Sequence, residues 1–154
     1  MNEKQLSAGL ILTDGLRFLG CHSTGNNFHD LPKGKVKVGE LPIDACVREV
    51  DEETGLSIIK NSLIDLGEHA YNGYKNLYLF ALITDNLPNL DQLFCTSTFY
   101  HQEDKIEKPE ADGYMYIPFA NMREFVTLNM HNVLNKVVAR LDSKTLKKAV
   151  MRCS

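Results

Sequence analysis

Between Gly34 and Leu56 the chain reads GKVKVGELPIDACVREVDEETGL, and this segment constrains the fold more than any other. It brings Arg48, Glu49, Glu52 and Glu53 within two turns of helical spacing. Like charges three or four residues apart destabilise a helix by roughly 0.2–0.5 kcal/mol per pair. Glu49 with Glu52, and Glu49 with Glu53, therefore call for a compensating partner, and a divalent cation would supply one. With about 3.6 residues per turn, Ile43, Val47, Val50 and Thr54 fall on one stripe expected to pack, and the three glutamates fall on a neighbouring stripe. Pro42 suits a first turn, where its missing N–H costs nothing, and Gly55 suits a left-handed stop, so the spacing predicts a helix over Pro42 to Thr54. Gly34 and Gly39 punctuate the preceding loop, whose backbone can then fold back toward the carboxylates. Hard oxygen donors select Mg²⁺ or Mn²⁺ over zinc, and Mg²⁺ shares its coordination among carboxylates, waters and substrate phosphates. A solvated, salt-bridged helix face is the alternative, but it explains neither the glycines nor the spacing.

Written with U for a bulky aliphatic residue, the segment is G-x5-E-x7-R-E-U-x-E-E-x-G-U, satisfied at Gly34, Glu40, Arg48, Glu49, Val50, Glu52, Glu53, Gly55 and Leu56. It resembles the signature of the Nudix hydrolases, which cleave nucleoside diphosphates linked to another moiety. The resemblance implies an α/β fold, an α/β/α sandwich around a central mixed β-sheet. It also implies Glu49, Glu52 and Glu53 as metal carboxylates, the Gly34 carbonyl as a further ligand, and Mg²⁺ as cofactor with Mn²⁺ as a substitute. Arg48 would orient a catalytic glutamate and Glu40 would pair with Arg48.

A second segment, KPEADGYMYIPF from Lys108 to Phe119, resembles a run near the end of RNA pyrophosphohydrolases and related dinucleoside polyphosphate hydrolases. There the glutamate is a fourth metal ligand or general base, a role carried here to Glu110, with Glu103 and Glu107 as alternatives. Two tryptophans common in that subgroup are replaced by Tyr116 and by His29, three residues before Pro32. Tyr71, Tyr74 and Tyr78 lie where dinucleoside polyphosphate hydrolases carry a tyrosine, and no proline occurs between Pro42 and Pro88, where the ADP-ribose group tends to have one. Aromatic faces stack on bases whatever the sequence; of the three tyrosines Tyr74, beside Asn72 and Gly73, is the best exposed candidate. His29 and Lys33 are the other candidate substrate contacts, Lys33 for a phosphate.

The 154 residues suit one domain. A net charge of −3 gives no global argument for nucleic acid. From His131 onward, however, Lys136, Arg140, Lys144, Lys147, Lys148 and Arg152 face a single acid, Asp142. That tail could attract RNA, although the solvated face of a terminal helix explains it as well. Cys21, Cys46, Cys95 and Cys153 form no CxxC pair and read as reduced thiols; the five histidines lack zinc-ligand spacing. The N-terminus has neither a signal-peptide pattern nor a membrane span, so a cytoplasmic monomer or homodimer is expected.

Leu6–Thr13 and Leu16–Cys21 read as strands joined at an Asp14-Gly15 turn. Leu63–Tyr71, Leu77–Thr84 and Tyr114–Phe119 read as further strands, and Val126–Leu141 as a helix. The span 85–113 reads as a long irregular loop, of the kind that forms lids and binding loops. The expected chemistry is attack of water on a P–O–P chain, with Glu52 or Glu110 taking the proton. Dinucleoside polyphosphates and relatives such as ADP-ribose or FAD are the leading substrates, and the RNA 5′ end is the alternative. A non-catalytic module would typically have lost a box carboxylate, and an isopentenyl diphosphate isomerase needs a cysteine motif absent here.

Overall fold

The computed structural model describes residues 4–139 and 141. Most of the basic tail, from Arg140 on, and Cys153 lie outside the described residues. The strands are β1 (Gln5–Thr13), β2 (Arg17–Ser23), β3 (His29–Asp30), β4 (Lys33–Lys35), β5 (Ile64–Ala70), β6 (Lys75–Ile83), β7 (Thr98–His101), β8 (Ile106–Pro109) and β9 (Ala111–Pro118). The helices are α1 (Pro42–Thr54) and α2 (Leu128–Val138).

The main sheet runs β3-β2-β1-β6-β5, with β4 also pairing β1 and β9 pairing β2. It is mixed, because β1 and β6 run parallel from Gln5↔Lys75 to Thr13↔Ile83 while the other pairs are antiparallel. Strand β6 lies between β1 and β5, the interior position its apolar run suggests.

Alternation of side chains feeds two cores. Ala8, Leu10 and Leu12 of β1, with Leu19 and Phe80, pack under Ala45, Cys46 and Val50 of α1. Ile11, Leu77 and Leu79 pack on the other face under Met130, Val133, Leu134 and Val137 of α2. The result is the α/β/α sandwich that the resemblance implies. Thr127 caps α2, its hydroxyl accepting the Met130 N–H. Among the described residues no helix is long and apolar enough to cross a membrane.

Two expectations need correction. The span 85–113 is not an irregular loop throughout: β7 and β8 pair as an antiparallel hairpin from Thr98↔Pro109 to His101↔Ile106, and β9 begins at Ala111. The packed stripe of α1 is also rotated from the one expected. Its buried residues are Ala45, Cys46, Glu49, Val50, Glu53 and Thr54, whereas Ile43 and Val47 are only partly covered. The small side chains of Ala45 and Cys46 suit close contact with the sheet, and the rotation carries two of the box glutamates under cover.

Candidate active site

Helix α1 has the expected limits: Pro42 stands at its start, and Gly55 stops it in the left-handed region at φ 78°, with its N–H on the Asp51 carbonyl. Within two turns this helix carries Arg48, Glu49, Glu52 and Glu53, and it brings Arg48, Glu49 and Glu53 against the Lys33–Lys35 strand. Gly34 lets the two approach, since a Cβ there would fall on the Glu49 carboxyl.

Arg48 organises this end of the site. Its guanidinium grips the Glu40 carboxylate from two nitrogens at 2.9 and 3.0 Å, donates to the Lys35 carbonyl at 3.0 Å and reaches Glu49 at 2.7 Å. The forked geometry suits a carboxylate, and it holds the Glu40 pKa down to about 2 while raising that of Arg48. Glu40 also accepts the Lys37 N–H, fixing the loop that leads into α1.

The buried carboxylates are strained electrostatically. Burial pushes Glu53 up to about 9, despite the Lys33 N–H that its carboxylate accepts at 3.2 Å. Burial also raises Glu49, with the charges of Glu52 and Glu110 adding to the effect and Arg48 opposing it. Glu110 is raised by burial and by Glu52. Glu110, distant in sequence, therefore stands near enough to α1 for its charge to act on Glu49 and Glu53 and for that of Glu52 to act on it.

Glu110 arrives there by backbone pairing. Its N–H donates to the Ser97 carbonyl at 3.0 Å, and its carbonyl accepts the Thr24 N–H at 3.2 Å. The segment before β7 in turn covers the end of α1: the Thr96 and Ser97 N–H groups reach the Glu52 carbonyl, and the Phe94 N–H reaches that of Thr54. Tyr114 completes the cover, its hydroxyl donating to the Glu53 carbonyl at 2.6 Å.

A cleft of about 430 Å³ includes Lys33, Gly34, Glu53 and Glu110 in its walls, together with Asp30, Lys75 and Phe99. Lys33, a candidate phosphate contact, is held 3.2 Å from Asp30. Tyr74 is 85% exposed on the turn before β6 and lies outside the cleft wall. His29 also lies outside it, packed edge-on against His22 and Phe125. Glu103 and Glu107 stay on the β7–β8 hairpin, away from the wall. Sequence reasoning missed Phe99 and Lys75. Phe99 is brought in by the unforeseen hairpin, and Lys75 by the parallel pairing that sets it beside Gln5.

As they stand, no three His, Cys, Asp or Glu side chains among the described residues are close enough together to hold a metal ion. Protein partners occupy them instead, Arg48 on Glu49 and the Lys33 N–H on Glu53. The donor set nevertheless fits a hard divalent cation: every candidate ligand is an oxygen, and burial drives the Glu53 pKa up to about 9 with the Lys33 N–H and the Lys33 charge opposing it.

The family model of the NUDIX domain matches residues 3–137, and the chain belongs to the Nudix family. With its box intact it is a hydrolase of phosphoric anhydride bonds. No curated protein matches it by sequence. Among solved structures it is similar to an Ap4A hydrolase binary complex from C. elegans, at TM-score 0.61 and 20% identity over 88% of this chain and 97% of that one. It is also similar to the NUDIX domain of Shewanella oneidensis NrtR complexed with ADP ribose, at TM-score 0.65 and 12% identity over 92% and 91% of the two chains. A third likeness is to a bifunctional NMN adenylyltransferase/ADP ribose pyrophosphatase from Francisella tularensis complexed with AMP and a manganese ion, at TM-score 0.66 and 12% identity, covering 92% of this chain and 43% of that one. At these identities the likenesses establish the fold.

Proposed function

We propose that the chain is a divalent-cation-dependent pyrophosphohydrolase of nucleoside diphosphate derivatives, with dinucleoside polyphosphates first among its substrates and ADP-ribose and FAD as related ones. One observation carries this reading: Glu53 and Glu110 meet in the wall of one cleft with Lys33 and Gly34, and the Glu49 carboxyl lies directly against Gly34. Such an arrangement is unfavourable for a fold alone and useful for holding a cation against phosphates. The Ap4A hydrolase and ADP-ribose complexes among the similar structures support the choice of substrates.

Glu49, Glu52, Glu53 and Glu110, with the Gly34 carbonyl, would hold Mg²⁺ or Mn²⁺. When bound there, the cation neutralises phosphate charge and acidifies water. The chain's own residues do the rest. Arg48, clamped by Glu40, holds Glu49 in place. Glu52 or Glu110 accepts a proton from the attacking water as its oxygen bonds to phosphorus and the bridging P–O bond breaks, leaving two phosphorylated products. Lys33 meets a phosphate, and Phe99 offers the cleft an aromatic face for a base. Tyr74 and His29, outside the wall, receive no role with a small nucleotide.

Hydrolysis of the RNA 5′ end is the second reading, supported by the resemblance of Lys108–Phe119 to RNA pyrophosphohydrolases and by the basic residues from Lys136 on. Incubation with dinucleoside polyphosphates, ADP-ribose, FAD and 5′-triphosphorylated or capped RNA, with Mg²⁺ or Mn²⁺ and products identified by mass spectrometry, decides between them. Metal-dependent release of nucleoside phosphates from the small compounds is expected. Turnover of RNA alone, falling steeply with added salt, would transfer the assignment to the second reading.

A further inference from the structure

The catalytic reading leaves part of the cleft unused. Strand β1 pairs with β2 only at Thr13↔Phe18, and its first half is taken by β4 and β6. The two parts of the sheet separate there, and the cleft lies between them. Glu110 immediately precedes β9 and its carbonyl accepts the Thr24 N–H just beyond β2, while Phe99 comes from β7 of the separate hairpin. Lys33, Lys35 and Lys75 belong to the part around β1, carried by β4 and by the first residue of β6.

These three lysines are not equivalent. Lys33 has a counter-charge in Asp30. Lys35 is exposed and Lys75 half-buried, and neither forms an ion pair among the described residues. The Lys75 ammonium stands 5.9 Å from the centre of the Tyr71 ring, and burial together with the charge of Lys33 lowers its pKa. An unpaired cation that is partly desolvated and beside another cation is costly, and an anion entering the cleft would relieve it.

We propose that Lys75 forms a second phosphate subsite, on the cleft that Lys33 and Lys35 also line, that holds a phosphoryl group beyond the linkage being cut. The enzyme then prefers chains of three or more phosphates to the two-phosphate linkage of ADP-ribose. This inference rests on the pyrophosphohydrolase reading and narrows its substrate class. A lysine suits the task because its ammonium binds phosphate as a point charge with three donors. Phe99, also in the cleft wall, offers a face for the nucleoside end of the same molecule.

Calorimetric titration of the wild type, Lys75→Gln and Lys75→Arg with inorganic tripolyphosphate and with pyrophosphate, both in the presence of Mg²⁺, tests the subsite without requiring turnover. Lys75→Gln should weaken tripolyphosphate binding about tenfold and pyrophosphate binding less than about twofold, while Lys75→Arg keeps most of the affinity. In kinetics, the kcat/KM ratio of a dinucleoside tetraphosphate to ADP-ribose should fall by a similar factor in Lys75→Gln, through KM. Equal weakening of both probes, or no weakening, would overturn the subsite. A wild type that hydrolyses no nucleotide would instead remove the pyrophosphohydrolase reading, and the titration would still decide whether Lys75 binds the longer chain.

Discussion

The site joins two segments of opposite kind. The Gly34–Leu56 segment is local: Glu40, Arg48 and Glu49 meet within one loop and one helix. The Leu93–Tyr114 segment is non-local: it reaches the same place by hydrogen bonds to the Glu52, Glu53 and Thr54 carbonyls, and an internal Ser97–Glu110 bond sets Glu110 beside them. Their difference separates two contributions to the proposed reaction. The local segment supplies three of its four carboxylates, Glu49, Glu52 and Glu53. The distant one adds the fourth, Glu110, and with Phe99 shapes the cleft.

Breaking the local half should have the largest effect. Glu53→Gln and Glu49→Gln keep the size of the side chains and remove their charge, and each should lower kcat by about 10²- to 10⁴-fold, the scale of an essential acid–base or ligand group. Retention of full turnover by both would end the proposed mechanism. Glu53→Gln also tests the electrostatics. The folded pKa of Glu53 lies at about 9 against an ordinary 4.5, so the folded state binds an extra proton between those values. Its stabilising contribution is thus fully present below about 4.5 and is lost as pH rises through about 9. Urea melts of the metal-free protein should show stability falling between pH 5 and pH 9, a slope that the Gln variant flattens. An equal slope in both proteins would show that Glu53 is not its source.

Gly34→Ala comes next. The added methyl falls on the Glu49 carboxyl and must displace it. Because a displacement of about 1 Å at a catalytic group can cost roughly 10²-fold, kcat should drop by that order while α1 remains intact by circular dichroism. An unimpaired variant would show that Glu49 need not lie against Gly34.

The same contrast explains what was legible in the sequence. Pro42, Gly55 and the glutamate spacing specify α1 to the residue, because helix periodicity and capping act within a few positions. The burial of Glu49 and Glu53 escaped that reading: hydropathy assigns a carboxylate to the exterior, whereas this site requires it to be covered. The β7–β8 hairpin escaped as well. Its strands are four residues each and exposed on much of their surface, so no apolar alternation marks them. Glu110 was identifiable from its proline-glutamate context. Phe99 and Lys75 were not, since nothing local reveals that strand pairing will set them on a common cleft.

Smaller effects should follow from loosening the contacts between the two halves. Gly55 has φ 78°, and a Cβ there would strike the Phe94 ring. Gly55→Ala should cost about 1–2 kcal/mol from the left-handed backbone alone, with displacement of Phe94 added, as measured by urea denaturation. If the loss is no larger than that of an exposed mid-loop substitution, Phe94 does not clamp the helix end.

Tyr114→Phe is the mildest test and the most specific. The hydroxyl donates to the Glu53 carbonyl at 2.6 Å, one of the terminal carbonyls of α1 covered by the distant segment. Phenylalanine keeps the ring and removes only that bond, for which a net loss of about 0.5–1.5 kcal/mol is expected. Glu52 and Thr54 retain their own donors from Thr96, Ser97 and Phe94, so α1 should keep its length. The neighbouring Glu53 side chain should lose some of its fixed position, and kcat should fall a few-fold at most, far less than in Glu53→Gln. A loss approaching that of Glu53→Gln would mean that Tyr114 takes part in the chemistry. No change in either stability or kcat would mean that the distant segment holds the helix end without it.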